Sequence, residues 1–371
     1  MKVVIAVLVS VLAGFILFLF LVKREGYQNE IIVRTITNLK TSQDVETLIN
    51  LCAENNIHII SVAFKQDEDD EVRSGEVFYP SSIAPVVVGY ENQDILKILI
   101  EKAHANSIMI KAWIPQFHDQ VAYAKNPEWG MVAYHDKKLL SVHEKSGEYF
   151  VNPMHEEVQN YELSIIKEIV QNYDIDGVVL DWIRFDDYNM DLSEYTRKKY
   201  QAKFGYDPLI IDFSKESRQR KEWNTYRGQE IALYIKKVRI MIKDIKPDVD
   251  LGVYVLSPSW SEVGQDPALF YQDIDSVSPM CYYDDWEYPV DWIYGPRDDS
   301  ILVVTDAKVK GTDIVPVFDT DWKDETYHDI FQHFKTTYPH IKTLSWFEYG
   351  KWSAETIRRV SSLGEDTKSS K

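Results

Sequence analysis

Cysteine is nearly absent from this chain: Cys52 and Cys281 are the only two among 371 residues. They stand far apart, one in an expected helix and one in an expected strand. A disulfide framework is therefore not indicated, and no Cys or His spacing suits a metal centre. His118, His135 and His143 share one loop region but lack the helical or paired spacing of ligands. Positive charge is also short, with 41 Lys and Arg against 59 Asp and Glu for a formal charge of −18. That argues against nucleic acid or an anionic lipid surface as the main partner, because phosphate recognition needs cations. Glycine and proline, 15 and 14 residues, are too few for long disordered tracts. No nucleophile elbow, Gly-rich phosphate loop or His-Glu zinc motif occurs, which disfavours an esterase, a nucleotide enzyme and a metallohydrolase.

The N-terminus carries the one long apolar run, Val3 to Val22, between Met1-Lys2 and Lys23-Arg24-Glu25. About 20 such residues match a bilayer, whereas a signal-peptide core has about 7–15. No small-x-small cleavage site follows. The expectation is an uncleaved signal anchor over residues 1–26, with cleavage to a secreted or periplasmic form as the alternative. A domain over 27–363 follows, expected outside the cytoplasm, and then a polar tail over 364–371.

After Tyr27, short β-branched runs alternate with helical patterns, the signature of parallel βα units. Expected strands are Ile31–Asn38, Ile57–Phe64, Ile108–Ile114, Ile175–Asp181, Asp250–Leu256, Ser276–Tyr282, Ile314–Phe318 and Leu344–Phe347. Eight units in one stretch of this length predict an α/β fold of the TIM (β/α)8 barrel type. Long connections at Asp67–Gln93, Gln116–Asn152 and Asp186–Glu222 each follow a strand, where such barrels build a cleft.

The fourth strand, Ile175-Asp-Gly-Val-Val-Leu-Asp181, is apolar until it ends on a carboxylate, with Arg184, Asp186 and Asp187 just beyond. An acid inside such a strand end is costly unless something uses it. The same rim collects Arg34 and Asn38 (strand one), Lys65 (two), Trp113 (three), Trp260 (five) and Tyr282 and Asp284 (six). Strand seven adds Asp319, Asp321 and Trp322, and strand eight Trp346 and Glu348. Glycoside hydrolysis uses such a set: one carboxylic acid to protonate the leaving oxygen, a second group to attack or activate water, and flat rings to hold sugar faces. Asp181 is the candidate general acid or acid/base, with Glu348 or Asp284 as second carboxylate. Arg184, Trp113, Trp346, Tyr282, Asn38, Arg34 and Trp260 are the candidate substrate contacts. Trp113 and Trp346 could instead plug the barrel core. No metal or organic cofactor is needed for this chemistry. A lyase using Tyr, Arg and Lys, or a non-catalytic polysaccharide-binding barrel, uses the same inventory.

The run Phe150-Val-Asn152-Pro153 through Val158 and Tyr161 to Tyr173-Asp-Ile-Asp176-Gly177-Val-Val-Leu-Asp181-Trp-Ile-Arg184-Phe resembles the family 10 glycosyl-hydrolase-like proteins of bacteria. Asn126-Pro-Glu-Trp129, Phe204-Gly-Tyr-Asp-Pro208, Trp223-Asn-Thr-Tyr-Arg227 and Asp275-Ser-Val-Ser-Pro-Met-Cys-Tyr282 add to the resemblance. It covers roughly Ile31 to Ser362 and implies a β/α barrel acting on polysaccharide outside the cytoplasm. That family is related to the hydrolase half of the poly-N-acetylglucosamine deacetylase, which cuts a partly deacetylated glucosamine polymer. Asp181 and Arg184 match its strand-end aspartate and arginine. Trp182 and Phe185 stand where Tyr is common, and Asp186 replaces a usual Pro. Laid on Asp176 to Ile183, the family 18 chitinase motif leaves Val179 and Ile183 at its middle Asp and its acid Glu. Chitinase catalysis therefore does not transfer, and Asp181 alone remains at that strand end.

Overall fold

Among the described residues, nine short parallel strands form from the β-branched runs, because Val and Ile suit a pleated surface covered on both faces. They are β1 (Gln28–Val33), β2 (Ile57–Ala63), β3 (Met109–Pro115), β6 (Gly177–Asp181), β7 (Asp250–Val255), β8 (Ser276–Pro279), β9 (Asp313–Ile314), β10 (Val317–Asp319) and β11 (Thr343–Phe347). A separate antiparallel hairpin pairs β4 (Val132–His135) with β5 (Lys138–Ser141) inside the long third connection. The computed structural model describes residues 27–67, 72–135, 138–320, 322–351 and 354–362.

The strand order is β10-β11-β1-β2-β3-β6-β7-β8-β9. A parallel bridge from Met280 to Val317 then joins the end of β8 to β10, so the sheet curls round onto itself. The seam lies at Val315-Pro316, between β9 and β10. Proline has no N–H for a ladder, which is why one strand becomes two pieces here. The result is an α/β-barrel fold with its helices outside. Helix Ser42–Glu54 starts on a capping box made by Thr41 and Asp44, and helix Arg218–Ile245 starts on Ser217. Each side chain accepts from an otherwise unpaired first-turn N–H.

A polar layer fills the barrel's inside. Buried Glu30 accepts from Lys111 Nζ at 2.6 Å, from the Tyr254 hydroxyl at 3.3 Å and from Ser345 Oγ at 3.2 Å. Tyr254 also donates to Ser61 Oγ at 2.9 Å. A buried carboxylate with this many donors is satisfied, and the layer makes a firm floor beneath the C-terminal mouth.

Two expectations need correction. The first strand does not run to Asn38: it stops at Val33, and Thr35–Asn38 turns into a short helix. Trp346 is not a sugar platform. Its ring is fully buried against Phe318, Tyr327 and Phe331, with Nε1 donating to Asn29 Oδ1 at 3.2 Å. It packs the layer between β11 and helix Asp324–Thr337. The expected anchor over 1–26 and the tail 364–371 lie outside the described residues. Among the described residues no helix is long and apolar enough to cross a membrane.

Removing the Trp346 ring should leave a core cavity. Trp346→Ala is expected to lose about 3–5 kcal/mol in a urea unfolding curve, and a loss below about 1 kcal/mol would place the ring elsewhere.

Candidate active site

The C-terminal strand ends converge on a cavity of about 150 Å³. Arg34 follows β1, Asp67 follows β2, Trp113 lies on β3 and Asp181 closes β6. Tyr254, Tyr282 and Phe347 complete its aromatic wall, and Trp182 borders it. Asp181 is 6 % exposed. Its Oδ2 accepts from Trp113 Nε1 at 3.0 Å, and its Oδ1 from the backbone N–H of Trp182 at 2.7 Å. Burial raises the Asp181 carboxyl to about 6, against the pull of these two donors and of Arg184 and Arg34. That places it where an acid can hold a proton near neutrality and release it.

The backbone at this strand end carries strain. Trp182 has φ +49°, in the left-handed region that costs a non-glycine residue about 1–2 kcal/mol. The turn aims the Trp182 N–H back at Asp181. Such outliers persist where the surroundings impose them, and they cluster at functional sites.

Arg34 is the hub of the cavity's other side. Its Nη1 meets Asp67 Oδ1 at 2.5 Å and its Nε meets Glu348 Oε2 at 2.5 Å. The guanidinium also lies 5.6 Å from the Trp113 ring centroid and 5.4 Å from that of Phe347. Arg34 therefore holds the walls rather than offering itself as a sugar contact. Tyr282 stays a neutral donor: burial pushes its hydroxyl far up, and the charges of Asp181 and Asp319 add to the shift.

The remaining candidates separate. Glu348 does not line the cavity, and its oxygens meet Arg34 and, at 3.2 Å, Lys351. Asp284 is exposed, does not line the cavity and accepts from Trp322 Nε1 at 2.9 Å. Neither is placed as a partner for Asp181. Asn38 is a brace whose amide donates to the carbonyls of Arg34 (3.0 Å) and Tyr349 (3.1 Å). Arg184 stacks 4.5 Å from the Trp182 ring and 5.2 Å from Phe150, donating to the Phe185 carbonyl at 3.0 Å. Trp260 sits farther out, 4.8 Å from Trp286, which is 5.9 Å from Tyr282. Rings thus continue from Phe347 through Tyr282 to the loops after β7 and β8. Asp321 lies outside the described residues. Among those described, no three His, Cys, Asp or Glu side chains gather as a metal ion would need. Asp67 and Phe347 were missed from sequence. The first sits four residues past a strand, and the second is one pleat step from Trp346.

A family model described as Glycosyl hydrolase-like 10 matches residues 32–301. The chain belongs to this family. The glycoside hydrolase domain of PgaB (BpsB) from Bordetella bronchiseptica has a similar fold, with TM-score 0.70 and 14% identity, covering 91% of this chain and 100% of that one. The catalytic domain of β-amylase from Paenibacillus polymyxa follows the same fold at TM-score 0.59 and 9% identity, covering 92% and 96%. Isoenzyme 2 of α-L-fucosidase from Paenibacillus thiaminolyticus does so at TM-score 0.60 and 13% identity, covering 91% and 48%. No curated protein matches the chain in sequence. Identities this low show the barrel fold that the glycosyl hydrolase-like 10 family shares with these enzymes.

The raised carboxyl has a thermodynamic signature. The folded state holds the Asp181 proton up to about pH 6, while the unfolded chain releases it near 3.8. Its contribution is therefore complete below pH 3.8 and is lost as pH rises through about 6. Relative to wild type, Asp181→Asn should gain on the order of 3 kcal/mol between pH 4 and pH 7.5. Paired urea unfolding curves measure this, and a difference that does not change with pH would contradict it.

Proposed function

We propose that this member of the glycosyl hydrolase-like 10 family hydrolyses O-glycosidic bonds of an amino-sugar polysaccharide outside the cytoplasm. The observation that carries the proposal is the buried Asp181, raised to about 6 and set among aromatic rings at the mouth of the barrel. We read the sheet as a (β/α)8 barrel whose seventh strand is split at Pro316, which makes this mouth the C-terminal face where such barrels do chemistry.

In this reading Asp181 is the general acid. Its proton passes to the glycosidic oxygen as the bond to the anomeric carbon breaks. The Trp113 and Trp182 N–H groups fix the carboxyl and stabilise the anion left behind, as donors to a carboxylate do. Trp113, Tyr282 and Phe347 supply flat apolar walls to a pyranose ring, and Trp286 and Trp260 extend them to later sugars of a chain. Arg184 stays outside the direct contact set and steadies Trp182. The N-terminal run would tether the barrel to the membrane facing a surface polymer. The solved PgaB (BpsB) glycoside hydrolase domain supports the reaction class through its fold, and the choice of glucosamine polymers rests on the motif around Asp181.

A glycan panel including partly deacetylated N-acetylglucosamine oligomers and peptidoglycan, with products followed by mass spectrometry, tests the proposal. Wild type should release saturated oligosaccharides. Asp181→Asn should lower turnover by about 10²–10⁴-fold while binding the same oligomer within a few fold. Tight binding with no cleavage of any glycan would make the barrel a binding module. Products with an unsaturated absorbance would make it a lyase.

A further inference from the structure

Asp67 and Asp181 are the only carboxylates that line the cavity among the described residues. Asp67 is 5 % exposed, and burying it is expensive unless its charge is matched and used. Arg34 matches the charge, but Glu348 already offers that guanidinium a carboxylate and does so from outside the cavity. Asp67 and Glu348 both pair with Arg34, and Asp67 is the one of the two that lines the cavity.

The backbone that presents Asp67 is built rigidly. Lys65 pairs with Val77 in an antiparallel bridge, and the Gln66 N–H donates to the Glu76 carbonyl at 2.7 Å. The fully buried Lys65 ammonium is locked between Asp119 at 2.8 Å and Glu162 at 2.7 Å. This ion triad touches neither the cavity nor solvent, and its effect is to pin the chain two residues before Asp67. Preorganising a side chain in this way is what a reacting group requires.

We infer that Asp67 is the second carboxylate of the reaction, acting opposite Asp181 on the anomeric carbon. The inference rests on the hydrolase reading of Asp181 and adds its missing partner. In the direct form an Asp67 oxygen bonds the anomeric carbon while the glycosidic C–O bond breaks and the Asp181 proton goes to the leaving oxygen. Water later displaces Asp67, returning its proton to Asp181. In the water form, water makes the bond to carbon and Asp67 takes its proton, while Asp181 again protonates the leaving oxygen. Both forms need an anion at Asp67, and both put the incoming atom on the face opposite the leaving group.

Azide separates this role from a purely structural one. Asp67→Asn and Asp67→Ala, each checked for wild-type circular dichroism, are assayed on the shortest β-linked glucosamine oligomer that wild type cleaves. Both should lose at least 10³-fold in kcat with KM within a few fold. Added sodium azide should restore Asp67→Ala at least tenfold and give a glycosyl azide of inverted configuration, and should not restore the tighter Asn variant. Full activity in both variants beside a dead Asp181→Asn would overturn Asp67 and leave the acid standing. Loss of activity with no glycosyl azide from a folded Asp67→Ala would reduce Asp67 to a brace for Arg34. A wild type silent on every glycan would remove the hydrolase reading and Asp67's role with it.

Discussion

Arg34 is buried between two carboxylates and two rings, and the geometry of the cavity follows from that one placement. Its partners come from the ends of neighbouring strands: Asp67 beyond β2 and Glu348 beyond β11, with Trp113 and Phe347 flanking the guanidinium. Arginine suits this position because its planar fork reaches two carboxylates while its face stacks on aromatics. Desolvating such a group costs several kcal/mol, which is recovered only if every partner is in place. Losing the guanidinium would leave the two buried acids without the cation that both of them meet. Trp113 carries the arrangement across to Asp181, since the ring beside Arg34 is the one whose N–H fixes that carboxyl.

Beneath this hub the barrel keeps a second polar layer around Glu30 and Lys111. Beside it lies a third buried group, Lys65 with Asp119 and Glu162. Neither group lines the cavity, so each fixes positions in the barrel without adding charge to the cavity walls. The cavity is thereby reduced to a few free variables: one raised carboxyl after β6, a second carboxylate after β2, and an aromatic wall. Burial is what raises Asp181, so the low-polarity walls of the cavity set its acid strength.

Most of the barrel was legible because parallel strands buried on both faces write themselves as short Val- and Ile-rich runs. Asp181 was legible for the converse reason, as a charge inside such a run. Pairings between distant segments were not. Arg34 meets groups 33 and 314 residues away, and nothing local announces either contact. The second acid was sought at Glu348 and Asp284 because they stand near strand ends, yet Asp67 borders the cavity from a loop. Trp346 and Phe347 show how a single residue decides a role. Side chains alternate across a strand, so the tryptophan enters the core and the phenylalanine faces the cavity. The first strand was read too far because Thr35–Asn38 keeps β-branched residues after the chain has turned helical.

The central claim is that Asp181 delivers the proton to the departing sugar oxygen. Its most direct test is the dependence of rate on leaving-group acidity, measured with aryl glucosaminides from dinitrophenyl to unsubstituted phenyl. With Asp181 in place the rate should change little across the series, because the leaving oxygen is protonated as it departs. In kcat/KM, which reports only the step that breaks the glycosidic bond, Asp181→Asn should stay near wild type on the dinitrophenyl substrate and fall progressively as the leaving group becomes more basic. An equal loss on every substrate would contradict the account, since it would mean that Asp181 holds the site together without giving up a proton.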